Sequence, residues 1–274
     1  MTPRRQAFED QGFVLIPDFL DREACAALRA AADAIVDRFD LAGIQTVFDT
    51  RAQSHGQDTW FLDSGPEVRP LLEASQLDGK GVVNKLGHAL HEREPAFRAL
   101  SNDPRLPALL AELRPAMDPL LLQSMVIFKH PQVGGEVTAH QDATYLVTEP
   151  ASVLGMWFAL DDADGDNGCL EVLVGGHRLG LRRRMHRQGY RTWTETHDPT
   201  PWPEDGWRPL PVAAGSLIVF DGLLPHRSEP NRSPRPRYAY TLHLIDAHAT
   251  YAADNWLQRP ADMPLHGFER DWAD

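Results

Sequence analysis

Two cysteines, Cys25 and Cys169, are all that the 274-residue chain carries. That excludes a disulfide framework and any zinc site made of several thiolates. A metal would have to be held by the 12 histidines and the carboxylates. Long apolar runs are missing as well: the stretch at 153–160 falls far short of the ~18 residues needed to span a bilayer. The N-terminal MTPRRQAFEDQG has two arginines but no apolar segment behind them, so it does not read as a secretory signal. A cytoplasmic protein, not attached to a membrane, is expected. Cations are also scarce, with 27 Lys and Arg against 39 Asp and Glu and a formal charge of −12. A surface of that sign does not bind a nucleic-acid backbone, although a local basic pocket remains open. No repeat period is visible, which disfavours solenoids and propellers.

Hydrophobic residues make up 42% of the chain, enough for a sizeable core in one large domain or two small ones. Residues 21–39 carry Leu28, Ala31, Ile35 and Phe39 at helical spacing, with Asp21 as a candidate N-cap. Residues 95–100 and 107–113 each open on a proline suited to a first helical turn. The first ~115 residues therefore read as mostly helical. Beyond Pro119 come short segments rich in Val, Ile, Phe and Tyr: LLLQSMVIFKH, VLGMWFAL, CLEVLV, SLIVFD and RYAYTLHLID. Gly, Pro, Asn and Asp bound them, as in an antiparallel sandwich or barrel. A long insert at about 178–211 separates the third from the fourth, and loops of that length often serve as lids or binding elements.

The sharpest local feature is His140-Gln141-Asp142. In an extended segment residues i and i+2 share a side, so an imidazole and a carboxylate can converge on one point as metal ligands do. The same triplet also suits a surface histidine beside a turn aspartate. His226 follows a strand ending at Asp221, 84 residues after Asp142. Two imidazoles and one carboxylate form the ligand set of non-haem Fe(II) oxygenases. Arg237 lies 11 residues further on, with Ala239, Thr241 and His243 on its strand face and Tyr238, Tyr240, Leu242 and Leu244 on the other. A guanidinium among small side chains has room to fork onto a carboxylate.

This order of H-x-D, distal His and Arg resembles the Fe(II)/2-oxoglutarate dioxygenases of the phytanoyl-CoA dioxygenase family. The strings QSMVIFKHPQVGGEVTAHQDATYLVTEP, VLGMWFALDDADGDNGCLEVLVGGH and YAYTLHLIDAHATYAADNWLQ carry the resemblance. GFVLIPDFL, WFLDSG and NKLGHALHE extend it over nearly the whole chain. The resemblance implies a mainly β fold with N-terminal helices, a double-stranded β-helix (jelly-roll, cupin-like) core in a single domain. Its parts would be a mostly helical buttress at 1–118, the core at 119–250 and a tail at 251–274. It implies iron held by His140, Asp142 and His226, and 2-oxoglutarate held by Lys85, Met125, Trp157, Ser228 and Arg237. Dioxygen would be the second cosubstrate, succinate and carbon dioxide the co-products, and hydroxylation of an aliphatic C–H in a small molecule the outcome.

Taken singly, Trp157 and Met125 also suit core packing, Met125 most readily. Gly155 and Ala159, on the Trp157 strand face, leave space beside the indole. Where the family commonly reads P-G-S-H, this chain has Val174-Gly175-Gly176-His177, and His177 reads as structural or pocket-edge. Related halogenases carry a small residue at the Asp142 position, so a carboxylate there favours hydroxylation. Other outcomes from the same iron site are desaturation, cyclisation or epimerisation of a natural-product intermediate; a non-catalytic metal-binding or sensor protein is the alternative of another class. Arg182, Arg183, Arg184 and Arg187 could meet the phosphates of an acyl-CoA thioester or form a solvated face. Trp193, Trp202 and Trp207 line a pocket or staple the loop. Oligomeric state is not legible.

Overall fold

The computed structural model describes residues 1–47, 58–77 and 80–268. The N-terminal part contributes α1 (Pro3–Gln11), β1 (Phe13–Ile16), α2 (Arg22–Val36), α3 (Thr59–Leu62), β2 (Val68–Leu77), β3 (Lys80–His88), α4 (Leu90–Arg93), α5 (Pro95–Ser101) and α6 (Arg105–Leu113). Then follow β4 (Pro119–Lys129), β5 (Val137–His140), β6 (Thr148–Glu149), β7 (Leu154–Ala159), β8 (Leu170–Leu173), β9 (Arg183–Gln188) and β10 (Arg191–Thr196). The last elements are β11 (Trp207–Leu210), β12 (Leu217–Asp221), β13 (His226–Ser228), β14 (Arg237–Asp246) and β15 (Thr250–Tyr251).

Helix boundaries follow local chemistry. The Asp21 carboxylate accepts from the Ala24 amide at 2.7 Å and starts α2, whose Cys25, Leu28, Ala32 and Ile35 form one buried stripe. In α6 the buried residues are Leu106, Leu109, Leu110 and Leu113. Both stripes join a core that covers one face of the large sheet, against Val126, Phe128, Met156, Phe158, Tyr240 and Leu242. That burial is what makes these helices stable, since helices this short are marginal alone.

The large sheet has seven strands in the order β1-β12-β7-β14-β4-β3-β2, and a four-stranded sheet runs β11-β8-β13-β5. A second core cluster fills the space between them, with Trp157, Ala159, Ile218, Phe220 and Ala239 from the large sheet and Leu170, Val172 and Leu210 from the small one. The fold is thus a double-stranded β-helix with helices against its outer face. Alternation along β14 explains the division: Ala239 packs between the sheets, while Tyr240 and Leu242 pack toward the helices.

Two features differ from the sequence expectation. The part before Pro119 is not only a helical buttress, because β1, β2 and β3 belong to the large sheet. Strand β3 pairs with β4, setting Lys85 opposite Ile127. The insert is also not a bare loop: β9 and β10 form a hairpin, and β11 adds to the small sheet beside β8. Among the described residues no helix is long and apolar enough to cross a membrane.

Candidate active site

His140 and His226 are direct register partners across the β5–β13 ladder, which brings their ring centroids to 4.2 Å. Asp142 reaches the same point because Gln141 stays extended and Asp142 opens a short 3-10 turn. Its Oδ1 lies 3.7 Å from His140 Nε2 and 3.6 Å from His226 Nε2. One donor atom from each residue falls within 4.8 Å of the others, the one such trio of His, Cys, Asp or Glu among the described residues.

The imidazoles are oriented from behind. His140 Nδ1–H donates to the Thr138 carbonyl at 2.8 Å, and His226 Nδ1–H to the Leu224 carbonyl at 3.0 Å. Both Nε2 lone pairs are thereby left facing inward. Burial, with His140 alongside, pushes His226 down to about 4. It stays a neutral imidazole, the form that ligates a metal. Burial resists ionisation of Asp142, but His243, His226 and the hydrogen bonds from His140 and His243 outweigh it and hold the carboxyl well below its usual range.

Gln141, between His140 and Asp142, points the other way and is 1% exposed. Its amide nitrogen donates to the carbonyls of Gly180 at 2.8 Å and Leu223 at 2.7 Å, and its oxygen accepts from the Arg182 amide at 3.0 Å. The small residue at 155 serves a purpose other than room beside Trp157. The Phe220 ring occupies that space, so close that a Cβ on Gly155 would lie 2.4 Å from it. The same ring sits 4.8 Å from the His226 ring.

Lys85, Met125, Trp157, Ser228 and Arg237 line one cavity of about 60 Å³ bordered by the trio. At its inner end Arg237 is 2% exposed, with its guanidinium carbon 5.5 Å from the Trp157 ring centroid. Its Nε and Nη1 are buried without hydrogen-bond partners, and so is Ser228 Oγ. Buried donors of this kind are costly unless something accepts from them. An incoming carboxylate has the required acceptors, so the residues fit a 2-oxoglutarate. Burial pushes the Lys85 ammonium down to about 8, against the pull of Asp142 and Glu73. Met125 is half-buried on the cavity wall, not in the core.

A second cavity, of about 90 Å³, shares Lys85, Met125, His140 and Asp142 with the first. Its outer wall is apolar and aromatic, built from Phe61, Tyr145, Leu146, Met185 and Trp256 with His88. Phe61 and Trp256 stack at 4.3 Å, and His88 meets Trp256 edge-on at 4.8 Å. Met185 comes from β9, so the insert does supply a wall.

The arginine cluster is largely tied to protein. Arg182 lies 4.1 Å over the Trp202 ring and donates to the Thr200 carbonyl. Arg184 pairs with Asp254 at 2.6 Å. Arg187 donates to the carbonyls of Leu62, next to the wall residue Phe61, and of Trp256, itself on the cavity wall. Arg183 is exposed. The three tryptophans act as staples: Trp193 stacks on His186, Trp202 on Arg182, and Trp207 on Arg227. His177 donates to or accepts from no member of the trio; its Nε2 lies 3.2 Å from the Glu9 carbonyl at the end of α1.

Sequence reasoning assigned no role to His243 or Gln123. His243 Nε2 lies 2.9 Å from Asp142 Oδ2, and Gln123 Nε2 lies 3.3 Å from His243 Nδ1. A signal was present, since His243 alternates onto the Arg237 face and Gln123 onto the Met125 face.

The sequence profile of the phytanoyl-CoA dioxygenase (PhyH) family matches residues 8–239. The chain is 39% identical over 277 residues to phytanoyl-CoA dioxygenase domain-containing protein 1 of Mus musculus, covering 94% of each chain. It is 38% identical over 261 residues to phytanoyl-CoA dioxygenase 1 of Oryza sativa subsp. japonica, covering 92% of each. Solved structures of similar fold include the non-haem α-ketoglutarate-dependent carbocyclase SnoK of nogalamycin biosynthesis, at a TM-score of 0.65 and 19% identity over 97% of this chain and 96% of that one. EctD of S. alaskensis, solved with 2-oxoglutarate and 5-hydroxyectoine, superposes at a TM-score of 0.62 with 21% identity over 90% of this chain and 76% of that one.

Proposed function

The chain belongs to the phytanoyl-CoA dioxygenase family, and we propose that it is an Fe(II)- and 2-oxoglutarate-dependent oxygenase that hydroxylates an aliphatic C–H of a small molecule. One arrangement supports this most directly: His140, Asp142 and His226 converge at one border of a cavity whose inner end holds the unpartnered donors of Arg237 and Ser228. A metal site alone would have no use for a buried guanidinium set to meet a carboxylate.

His140 Nε2, His226 Nε2 and Asp142 Oδ1 would hold the iron. Arg237 and Ser228 would receive the distal carboxylate of 2-oxoglutarate, with the Lys85 ammonium adding positive charge toward the dianion. When bound, iron and 2-oxoglutarate supply the chemistry, coupling oxidation of a substrate C–H by dioxygen to formation of succinate and carbon dioxide. Phe61, Trp256 and Met185 exclude water around the apolar cavity and hold the substrate against that centre, and this placement selects which C–H is oxidised. Arg182, Arg184 and Arg187 engage protein partners, which leaves Arg183 as the exposed member of the cluster for the phosphates of a CoA thioester.

The test adds Fe(II) and then 2-oxoglutarate without oxygen, followed by air. A weak visible absorption band and then succinate are expected, both lost in Asp142→Ala. No band and no succinate from the wild-type protein would overturn the reading. Product mass separates hydroxylation, a gain of one oxygen, from desaturation, cyclisation or epimerisation.

A further inference from the structure

We propose that His243 is a positioning residue that fixes the face Asp142 turns to the metal, and that Gln123 fixes His243 in turn. The proposal rests on the metal site described above. Asp142 is the first residue of a 3-10 turn, so its side chain leaves the regular alternation of β5, and the strand alone does not orient its carboxylate. The two oxygens are already distinguished: Oδ1 faces the Nε2 atoms of His140 and His226 at 3.7 and 3.6 Å, while Oδ2 lies 2.9 Å from His243 Nε2. An ionised carboxylate only accepts, so His243 must carry its proton on Nε2.

A neutral imidazole protonated at Nε2 has a lone pair at Nδ1, and the group opposite must donate. Gln123 meets that demand with its amide nitrogen, 3.3 Å from Nδ1. Its Oε1 is then turned away from the imidazole, and this atom is buried without a hydrogen-bond partner. His243 and Gln123 are 3% and 5% exposed and are register partners across β14 and β4. The central ladder of the large sheet therefore anchors a ligand that arrives from the small one. With Oδ2 engaged, Asp142 offers a metal one oxygen, which leaves more of the coordination sphere open to other ligands.

Co(II) titration of the full chain, followed by its visible absorption, tests the proposal without turnover. His243→Leu is expected to weaken Co(II) about 10- to 100-fold, the usual effect of removing a group that orients a metal ligand, and to change the band pattern as Asp142 becomes free to offer both oxygens. His243→Gln places an amide N–H where Nε2–H stood and should return affinity and spectrum most of the way to wild type. Gln123→Leu, which keeps the imidazole but releases its tautomer, should fall between. Wild-type affinity and spectrum in His243→Leu would overturn the proposal, as would His243→Gln behaving like His243→Leu with a native fold by circular dichroism. If His243→Leu does not fold, the Gln and Gln123→Leu variants decide by the same readouts. A wild-type protein that does not bind Co(II) through Asp142 would overturn the underlying metal site and this proposal with it.

Discussion

Lys129 and Arg237 face each other directly across the β4–β14 ladder, two buried cations side by side, of which one is satisfied and the other is not. Lys129 Nζ donates to the carbonyls of Gly135, Ser228 and Glu229. Arg237 leaves Nε and Nη1 without partners. The first holds the backbone around Ser228, and the second keeps two buried donors unpaired.

The two should respond to substitution with opposite sign. Buried donors without partners are costly, about 1–3 kcal/mol and more for a charged group, and Arg237 has two of them, so Arg237→Met should raise the melting temperature of the ligand-free protein. It should also lose the upward shift that 2-oxoglutarate gives the wild type. Lys129→Met strands buried carbonyls and should cost about 3 kcal/mol. Thermal melts with and without 2-oxoglutarate decide; a drop in ligand-free Arg237→Met would count against the assignment of its role.

Gly155→Ala should damage the metal site from outside it. The new Cβ meets the Phe220 ring, which moves against His226. Overpacking of this kind costs about 1–3 kcal/mol, and Co(II) affinity should fall with stability. An unchanged affinity would mean that Phe220 yields in another direction.

The affinity for 2-oxoglutarate should depend on pH through Lys85. Burial lowers this ammonium to about 8, so it carries its charge below that pH and loses it above. Isothermal titration between pH 7 and 9 should show weakening in the wild type and a flatter profile in Lys85→Met. Parallel profiles would place the titrating group elsewhere.

Acid stability should run through Glu92. Its carboxylate, 10% exposed, accepts from Arg259 at 2.5 Å and lies 3.3 Å from His91 Nε2 and 3.7 Å from His266 Nε2. Burial opposes ionisation, but His91 and Arg259 outweigh it and hold the carboxyl at about 2, below its ordinary 4.5. A group whose pKa is lower folded than unfolded stabilises the fold above the unfolded value and loses that contribution as pH falls through the folded one. Glu92→Gln should cost about 3 kcal/mol at pH 7, a gap that closes between pH 4.5 and 2. Denaturant titrations of both proteins across that range measure it; a constant gap would sink the assignment.

The trio of His140, Asp142 and His226 was legible because each part is local, a triplet on an extended strand and a histidine after another; Arg237, on a third strand, was legible in the same way. Helix α2 was legible for the same reason, since its cap and its stripe lie within one segment. Strands β2 and β3 were not, because Pro70, Glu73, Asn84 and Lys85 interrupt any apolar alternation, and only the pairing of β3 with β4 and of β2 with β3 makes them part of the sheet. The contact between His243 and Asp142 spans 101 positions, and no pattern along the chain shows which of 12 histidines closes it. The role of Gly155 was hidden likewise, since its neighbour Phe220 comes from β12.

Gln141 lends the site a mechanical property. With one amide it ties the backbone link between His140 and Asp142 to Gly180 and Arg182 of the insert and to Leu223 of the β12–β13 turn. The insert reaches the apolar cavity through Met185 and the wall carbonyls through Arg187. The residue joining His140 to Asp142 is therefore tied to the same insert that supplies Met185 to the cavity wall.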